Sequence, residues 1–250
     1  MPTILITGCS SGFGFETARH FLAQGWTVIA TMRNPKPDLL PASDRLTILP
    51  LDVTCPDSIA AAVAAAGEID VLVNNAGIGW LNAVEGTPMP IVQEIFGTNT
   101  FGTIAMIQAV LPQFRARRAG VIINVTSSVT LKNYDLLSVY TASKAAVNAL
   151  TEVIALELAP FGIRSHVVLP GQAPGTAFGS NARERMVQAG GFPEPYAEMA
   201  QEVFARLAAG TDEDKTQAED VVAAIWRIAT DPAAPVRLPA GADAVALFNG

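Results

Sequence analysis

The chain has 250 residues, half of them apolar and 16% charged, and 16 Lys and Arg against 23 Asp and Glu give a net charge of −7. That acidic balance disfavours a nucleic-acid surface, which needs a basic patch to displace counterions, and no run reaches the roughly 18 apolar residues of a membrane-crossing helix. Cys9 and Cys55, the two cysteines, match no metal spacing and are too few for a disulfide framework, and the start MPTILITGCSSG lacks the basic leader and apolar run of a signal peptide, so a soluble, cytoplasmic, metal-free chain with reduced thiols is expected.

In chain order, an apolar run over 3–7 predicts a strand, and a helix over 14–24 follows, stopped by Gly25. Strands are predicted over 27–31 and 46–51, a helix over 58–66, a strand over 71–74 and a long helix over 90–118, whose basic end (Arg115, Arg117, Arg118) suits the dipole. A strand over 121–125, a helix over 138–161 and a strand over 165–169 complete the alternation. The strands are rich in Val and Ile and apolar on successive residues, as in a parallel sheet covered on both faces. The β/α alternation therefore predicts a doubly wound, Rossmann-like α/β sheet in a single domain spanning 1–250. Residues 175–214, with Gly179, Gly190, Gly191, Pro193 and Pro195 around two helical pieces, read as a substrate lid or as an ordinary helical excursion. One more helix from Asp220 and a last edge strand over 244–248 are expected.

The first strand runs into Thr7-Gly8-Cys9-Ser10-Ser11-Gly12-Phe13-Gly14 and then a helix. Glycines there permit tight turning and close approach to a pyrophosphate, while the helix start offers free N–H groups and a positive dipole end. The position, after the first strand and opening the first helix, makes Gly8, Ser10, Ser11, Gly12, Phe13 and Gly14 candidate cofactor-binding residues. At the end of the second strand, Ala30-Thr31-Met32-Arg33-Asn34 carries no carboxylate to bind a ribose 2′-hydroxyl. Arg33 is placed to pair with a 2′-phosphate, helped by Ser11, unless it is a solvated loop cation, and NADP(H) is the expected cofactor.

Tyr140 and Lys144, four apart at the start of a strongly helical segment, share one face. A free tyrosine, with a pKa of about 10, is too weak an acid to exchange protons at neutral pH, but a nearby ammonium favours its phenolate. Such a phenol can protonate an alkoxide or deprotonate an alcohol. Ser127 sits at the C-terminal end of the fifth strand, where ligands bind in such sheets, and its hydroxyl is suited to hold a substrate oxygen; Ser128 is the runner-up.

The T-G-x-x-x-G-x-G turn, Asn74-Asn75-Ala76-Gly77, Asn99, Ser127, Tyr140-Thr141-Ala142-Ser143-Lys144 and Pro170-Gly171 together resemble the short-chain dehydrogenase/reductase family, over most of the chain. The turn and the Ala-Thr-x-Arg strand end resemble its hydroxysteroid and retinol dehydrogenase-like members. The resemblance implies an oxidoreductase acting on a carbonyl or alcohol, with Tyr140 as general acid and base, Ser127 on the substrate oxygen, and Lys144 also holding the nicotinamide ribose. It implies that Asp52 and Val53 contact the adenine, although Asp52 also reads as a helix N-terminal carboxylate. Asn74 would tie neighbouring strands, Asn75, Ala76 and Gly77 would lie along the nicotinamide ribose, and the main chain of Asn99 would hold a relay water, or Asn99 is a mid-helix residue bonded to the backbone. After Pro170-Gly171, Ala173 and Thr176 would meet the carboxamide or a phosphate, although this stretch is one residue longer than the family's P-G-x-[VI]-x-T. The long helices over 90–118 and 138–161 imply a homodimer or homotetramer. Val129-Thr130, where the family has a small Ala-Gly, would shape the substrate side. Phe178, Phe192, Tyr196, Met199 and Phe204 form either an apolar substrate site or the lid's own core, and His20 and His166 are expected to be structural. A non-catalytic NADP-binding sensor on the same fold is the alternative, against which stand Ser127, Tyr140 and Lys144, all present.

Overall fold

The computed structural model describes residues 1–209, 211 and 214–250. β1 (Thr3–Ile6), β2 (Thr27–Met32), β3 (Leu46–Pro50), β4 (Val71–Asn74), β5 (Gly120–Val125), β6 (Ile163–Pro170) and β7 (Arg237–Ala240) form one sheet in the order β3-β2-β1-β4-β5-β6-β7, with every neighbouring pair parallel. The helices are α1 (Gly12–Ala23), α2 (Pro56–Ala66), α3 (Met89–Phe96), α4 (Gly102–Arg117), α5 (Ser138–Leu158), α6 (Phe178–Gln188), α7 (Ala197–Ala208), α8 (Ala218–Thr230) and α9 (Ala242–Asn249). The architecture is the doubly wound, Rossmann-like sheet, and strand order reverses between β1 and β4, the switch point outside whose carboxyl ends ligands bind.

The unbroken apolar runs have a direct cause. Alternate side chains leave each strand on opposite faces, and both faces are covered. Ile4, Ile6, Val28, Ala30, Val71, Val73 and Ile123 join the core under α1 and α8, beside Phe21, Ile225 and Ile228. Leu5, Ile29, Leu72 and Ile122 go the other way, under α2, α4 and α5, beside Ile59, Met106, Phe114 and Ile154. Two buried polar side chains cross the sheet. The Asn74 amide donates to Asn124 Oδ1 (2.8 Å) and the Asn124 amide to Thr151 Oγ1 (2.9 Å), which ties β4 to β5 and β5 to α5. α1 stops where Gly25 takes φ +84°, a left-handed position that suits glycine.

Two expectations need correction. The helix over 90–118 is not uniform: a wider π-helical turn, Gly97–Phe101, separates α3 from α4. Asn99 within it directs its side chain to other segments, and Gly97 is a poor helix former, so the regular ladder gives way there. The last edge strand is β7, not residues 244–248, which lie in α9. Gly241 (φ +96°) turns the chain out of the sheet, and Asp243 accepts the Ala244 N–H at the start of the helix. Ala242, Ala244 and Ala246 then favour a helix over the strand suggested by Val245 and Phe248. Pro239, which cannot donate to the sheet, is tolerated because β7 is an edge. Of the segment 175–214, residues 210, 212 and 213 lie outside the described residues; the rest carries α6, a short turn at Glu194–Tyr196 and α7. Among the described residues no helix is long and apolar enough to cross a membrane.

Candidate active site

The turn after β1 is held against the sheet by its neighbour. Thr7 Oγ1 accepts the main-chain N–H of Asn75 (3.0 Å) and of Ala76 (2.9 Å). The Asn75 amide donates back to the carbonyls of Thr7 (2.9 Å) and Gly8 (3.1 Å). Gly8 (φ +74°) lies so close that a Cβ there would be 2.9 Å from Ala76 Cα, and one at Gly14 would strike the Gly8 carbonyl and the Asn75 amide. Asn75, expected at a cofactor, thus commits its side chain to bracing the turn. Ser10 and Ser11 are exposed on the turn, α1 begins at Gly12, and its first turn has neither a side-chain cap bond from Ser11 nor an acidic residue. Phe13 instead packs partly into the core. The arrangement is suited to an anion, because first-turn N–H groups lack intrahelical partners and the dipole is positive there.

Arg33 is exposed just beyond β2. Asp52, beyond β3, accepts from Thr54 N (2.9 Å) and Thr54 Oγ1 (2.7 Å), and these bonds, aided by the charge of Arg33, hold its carboxyl below the usual range. The carboxylate thereby closes the turn at Thr54 ahead of α2, whose N-cap is Cys55 and whose first-turn carboxylate is Asp57. Val53 is buried against Gly102 at the start of α4.

On the other side of the cleft, β5 ends at Val125 and Ser127 follows, nearly buried. Ser127 Oγ accepts from Val129 N (3.3 Å), and the Ser127 side chain favours the ionised form of the Tyr140 phenol. Tyr140 is 6% exposed and Lys144 5%, one turn apart on the buried face of α5. Lys144 Nζ donates to the Val125 carbonyl (3.0 Å), and a Cβ on Gly77 would lie 3.2 Å from it. Burial pushes the phenol up to about 12, with the Ser127 side chain pulling the other way, and pushes the lysine down to about 8. The expectation that Lys144 brings the phenol towards neutrality is therefore not what is seen. Desolvation dominates at Tyr140, and the ammonium is directed to a carbonyl.

Asn99 braces this cluster. Its Oδ1 accepts from Ile78 N (2.8 Å), its amide donates to the Ile78 carbonyl (3.0 Å) and to Ser143 Oγ (3.1 Å), and its own carbonyl accepts the Thr103 hydroxyl (2.9 Å). Thr100 Oγ1 donates to the Ser143 carbonyl (2.9 Å), and Asn148 Nδ2 to Thr130 Oγ1 (2.8 Å), which in turn donates to the Ser127 carbonyl (2.8 Å). Thr130 thus braces the serine turn, while Val129 packs in the cluster that holds Tyr140. The sequence reading missed Ser143, Asn148 and Thr151. Their signal was the polar stripe at helical spacing on the face that carries Tyr140 and Lys144.

Beyond β6, Pro170 is buried and Gly171 half-buried, and the chain turns at Ala173, whose carbonyl accepts both the N–H (3.2 Å) and the hydroxyl (2.9 Å) of Thr176. Thr176 stands over the glycine turn: a Cβ on Gly12 would lie 3.5 Å from it. The excursion then passes over the tyrosine. The rings of Tyr140 and Phe178 are 5.8 Å apart, and Phe178 sits where Gly79 offers no side chain. The aromatics of the excursion divide: Phe192, Tyr196 and Phe204 pack with Leu81, Leu136 and Leu137 as a local core, while Phe178 is 39% and Met199 40% exposed. His20 stacks edge-on with Trp226, and His166 Nδ1 lies 2.8 Å from the Pro235 carbonyl, a partner the sequence did not suggest; neither joins the cluster.

The family model described as short chain dehydrogenase matches residues 2–186. Retinol dehydrogenase 8 of Homo sapiens is 39% identical over 180 residues, which cover 68% of this chain and 58% of that protein. The match thus spans less than two thirds of the relative's length. A short-chain dehydrogenase from Streptomyces avermitilis has a TM-score of 0.84 at 32% identity, covering 100% of this chain and 92% of that one. The closed form of serine dehydrogenase complexed with NADP+ has a TM-score of 0.79 at 29% identity, covering 95% and 93%.

Proposed function

The chain belongs to the short-chain dehydrogenase family, and from this premise we propose that it is an NADP(H)-dependent oxidoreductase that moves a hydride between the nicotinamide and a carbonyl or secondary-alcohol carbon. The observation that carries the reading is the convergence of Ser127, Tyr140 and Lys144 in one buried cluster at the carboxyl ends of β4 and β5, beside the switch point. The uncapped start of α1, with Ser10 and Ser11 exposed on the turn before it, fits a pyrophosphate. Arg33, with no carboxylate at the end of β2, favours a 2′-phosphate, and the structurally similar serine dehydrogenase is complexed with NADP+. In this reading Ser10, Ser11, Gly12 and Phe13 surround the phosphates. Asp52 and Val53 lie at the adenine, Asn75, Ala76, Gly77 and Lys144 at the ribose, and Pro170, Gly171, Ala173 and Thr176 at the nicotinamide end.

The bound dinucleotide supplies the hydride. Ser127 Oγ and the Tyr140 hydroxyl hold the substrate oxygen, and Tyr140 Oη gives its proton as negative charge develops there. A phenol held near 12 keeps its proton at neutral pH until negative charge develops on the substrate oxygen beside it. Lys144, near 8, is mostly charged at neutral pH, and its ammonium, held at the Val125 carbonyl beside Gly77, is suited to the ribose hydroxyls of the dinucleotide. Asn99 holds the loop at Ile78 and the start of α5 in place around them.

Residues 1–250 act as one domain, with α6 and α7 as a lid whose Phe178 presents an apolar face to a carbonyl substrate beside Tyr140. Phe101, Val153 and Leu156, exposed at the end of the π-helical turn and on α5, support a homodimer or homotetramer. The free thiols of Cys9 and Cys55 fit the cytoplasm. A panel of ketones and aldehydes, scored by loss of reduced-nicotinamide absorbance, tests the assignment. Tyr140→Phe is expected to cut turnover about a thousandfold with nucleotide affinity kept. Undiminished turnover in that variant removes Tyr140 from the chemistry.

A further inference from the structure

The main chain that leaves β6 is gripped by two side chains from the last part of the molecule. Gly171 N donates to Thr216 Oγ1 (2.8 Å) and Gln172 N to Asp243 Oδ2 (2.7 Å), while the Gln172 carbonyl accepts from Thr216 N (3.0 Å). Thr216 Oγ1 also lies 2.7 Å from Asp243 Oδ1 and 2.9 Å from the Ala240 carbonyl, the two acceptors open to its hydroxyl proton. The second oxygen contact of Asp243 is the Ala244 N–H, at 2.9 Å. Thr216 is 1% exposed. Two glycines make room for the pair: a Cβ on Gly171 would land on the Asp243 carboxylate, and one on Gly241 would land on Thr216. The phenol of Tyr134 is raised first by burial and then by the same carboxylate, and α9 packs against the Ser128–Thr130 turn beside Ser127. The cluster therefore lies between the strand end and the serine turn.

We propose that Thr216 and Asp243 are positioning residues that fix the main chain of Gly171 and Gln172 and thereby orient the nicotinamide end of the bound dinucleotide. The proposal rests on the reading above that places residues 170–176 at that end. Gly171 N reaches the Ala240 carbonyl of β7 only at 3.3 Å and Gln172 N lies beyond the ladder, so closer acceptors are needed for both N–H groups. A carboxylate and a threonine hydroxyl supply them, and a charged acceptor holds the geometry more firmly than a neutral one. The segment can then run on to Thr176 above the glycine turn in one fixed path.

Binding of NADP+ and of 2′-phospho-ADP-ribose, which lacks the nicotinamide, is measured by calorimetry on the intact chain. Asp243→Ala and Thr216→Val are expected to weaken NADP+ about tenfold, the worth of one charge-assisted hydrogen bond, while the fragment stays within about twofold. Asp243→Asn, which keeps an acceptor for Gln172 N, is expected to recover most of the loss. If Asp243→Ala does not fold, Thr216→Val, close to threonine in shape, carries the same test. Equal loss for both ligands, or none for either, overturns the proposal while the underlying reading stands. A native chain that binds neither ligand overturns both.

Discussion

The two sides of the cleft are secured in different ways. At the carboxyl ends of β1, β4 and β5, the glycine turn, Asn99, Ser127, Tyr140 and Lys144 are braced by one another and by adjacent strands through short side chains. Beyond β6, the chain depends on residues far along the sequence, Thr216 and Asp243, and on a helical excursion whose Phe192, Tyr196 and Phe204 pack on Leu81, Leu136 and Leu137, with Phe192 and Phe204 also reaching the cluster that holds Tyr140. The first side behaves as part of the sheet. The second is tied to β7 and α9 at its start, and its helices meet the sheet side through Met186, Phe192 and Phe204. Substitutions on the sheet side should therefore disturb stability and nucleotide binding, and those on the excursion chiefly substrate handling.

The largest expected effect is at Lys144. Its folded pKa, near 8, lies below the ordinary 10.5, so between these values the unfolded chain binds the extra proton and stability rises with pH. Tyr140 acts oppositely above about pH 10, where the unfolded chain loses a proton that the folded one keeps up to about 12. Lys144→Met should abolish turnover yet raise stability near pH 7 by at most about 3 kcal/mol. That gap should close towards pH 10 in denaturant titrations at stepped pH, and parallel pH profiles for the two proteins would count against a strained buried ammonium. Next, Gly14→Ala forces a methyl into the Gly8 carbonyl and the Asn75 amide, so a loss of about 2 kcal/mol in thermal unfolding and about thirtyfold in NADP+ affinity is expected. An unchanged melting temperature would show that the knot yields. Arg33→Ala, at an exposed position, should weaken NADPH about tenfold and leave NADH within a factor of two; equal effects on both would remove the 2′-phosphate contact. Phe178→Ala should be the mildest, leaving stability and nucleotide affinity alone while moving the KM of bulky ketones about threefold. A matching fall in stability would make the ring part of the fold instead of the substrate surface.

The legibility of the sequence follows the same division. Strands β1 to β6 and helices α1, α2, α5 and α8 could be read because their apolar period and glycine stops are local. The site residues around Tyr140 stood out because their spacing is fixed by one helix and one strand end. Long-range bonds could not be read this way. Nothing near Asn75 announces that its amide faces Gly8, and nothing near Gly171 points to Asp243, 72 residues on. The tail was misread because Val245 and Phe248 suggest a strand, whereas Gly241 and the alanines decide otherwise. The phenol's acidity was misjudged because spacing on a helix places Lys144 near Tyr140 but says nothing of where Nζ points.

The bond from Asn124 to Thr151 carries a mechanical consequence. Asn124 is fully buried in the middle of the sheet, and its amide donates to Thr151, a bond that holds while α5 stays at its present height. Axial creep of that helix by even one turn, about 5.4 Å, would strand the amide in a dry interior. The segment bearing Tyr140 and Lys144 is latched, and under heat or denaturant it should release all at once with the sheet, so amide exchange along its buried face should track global opening.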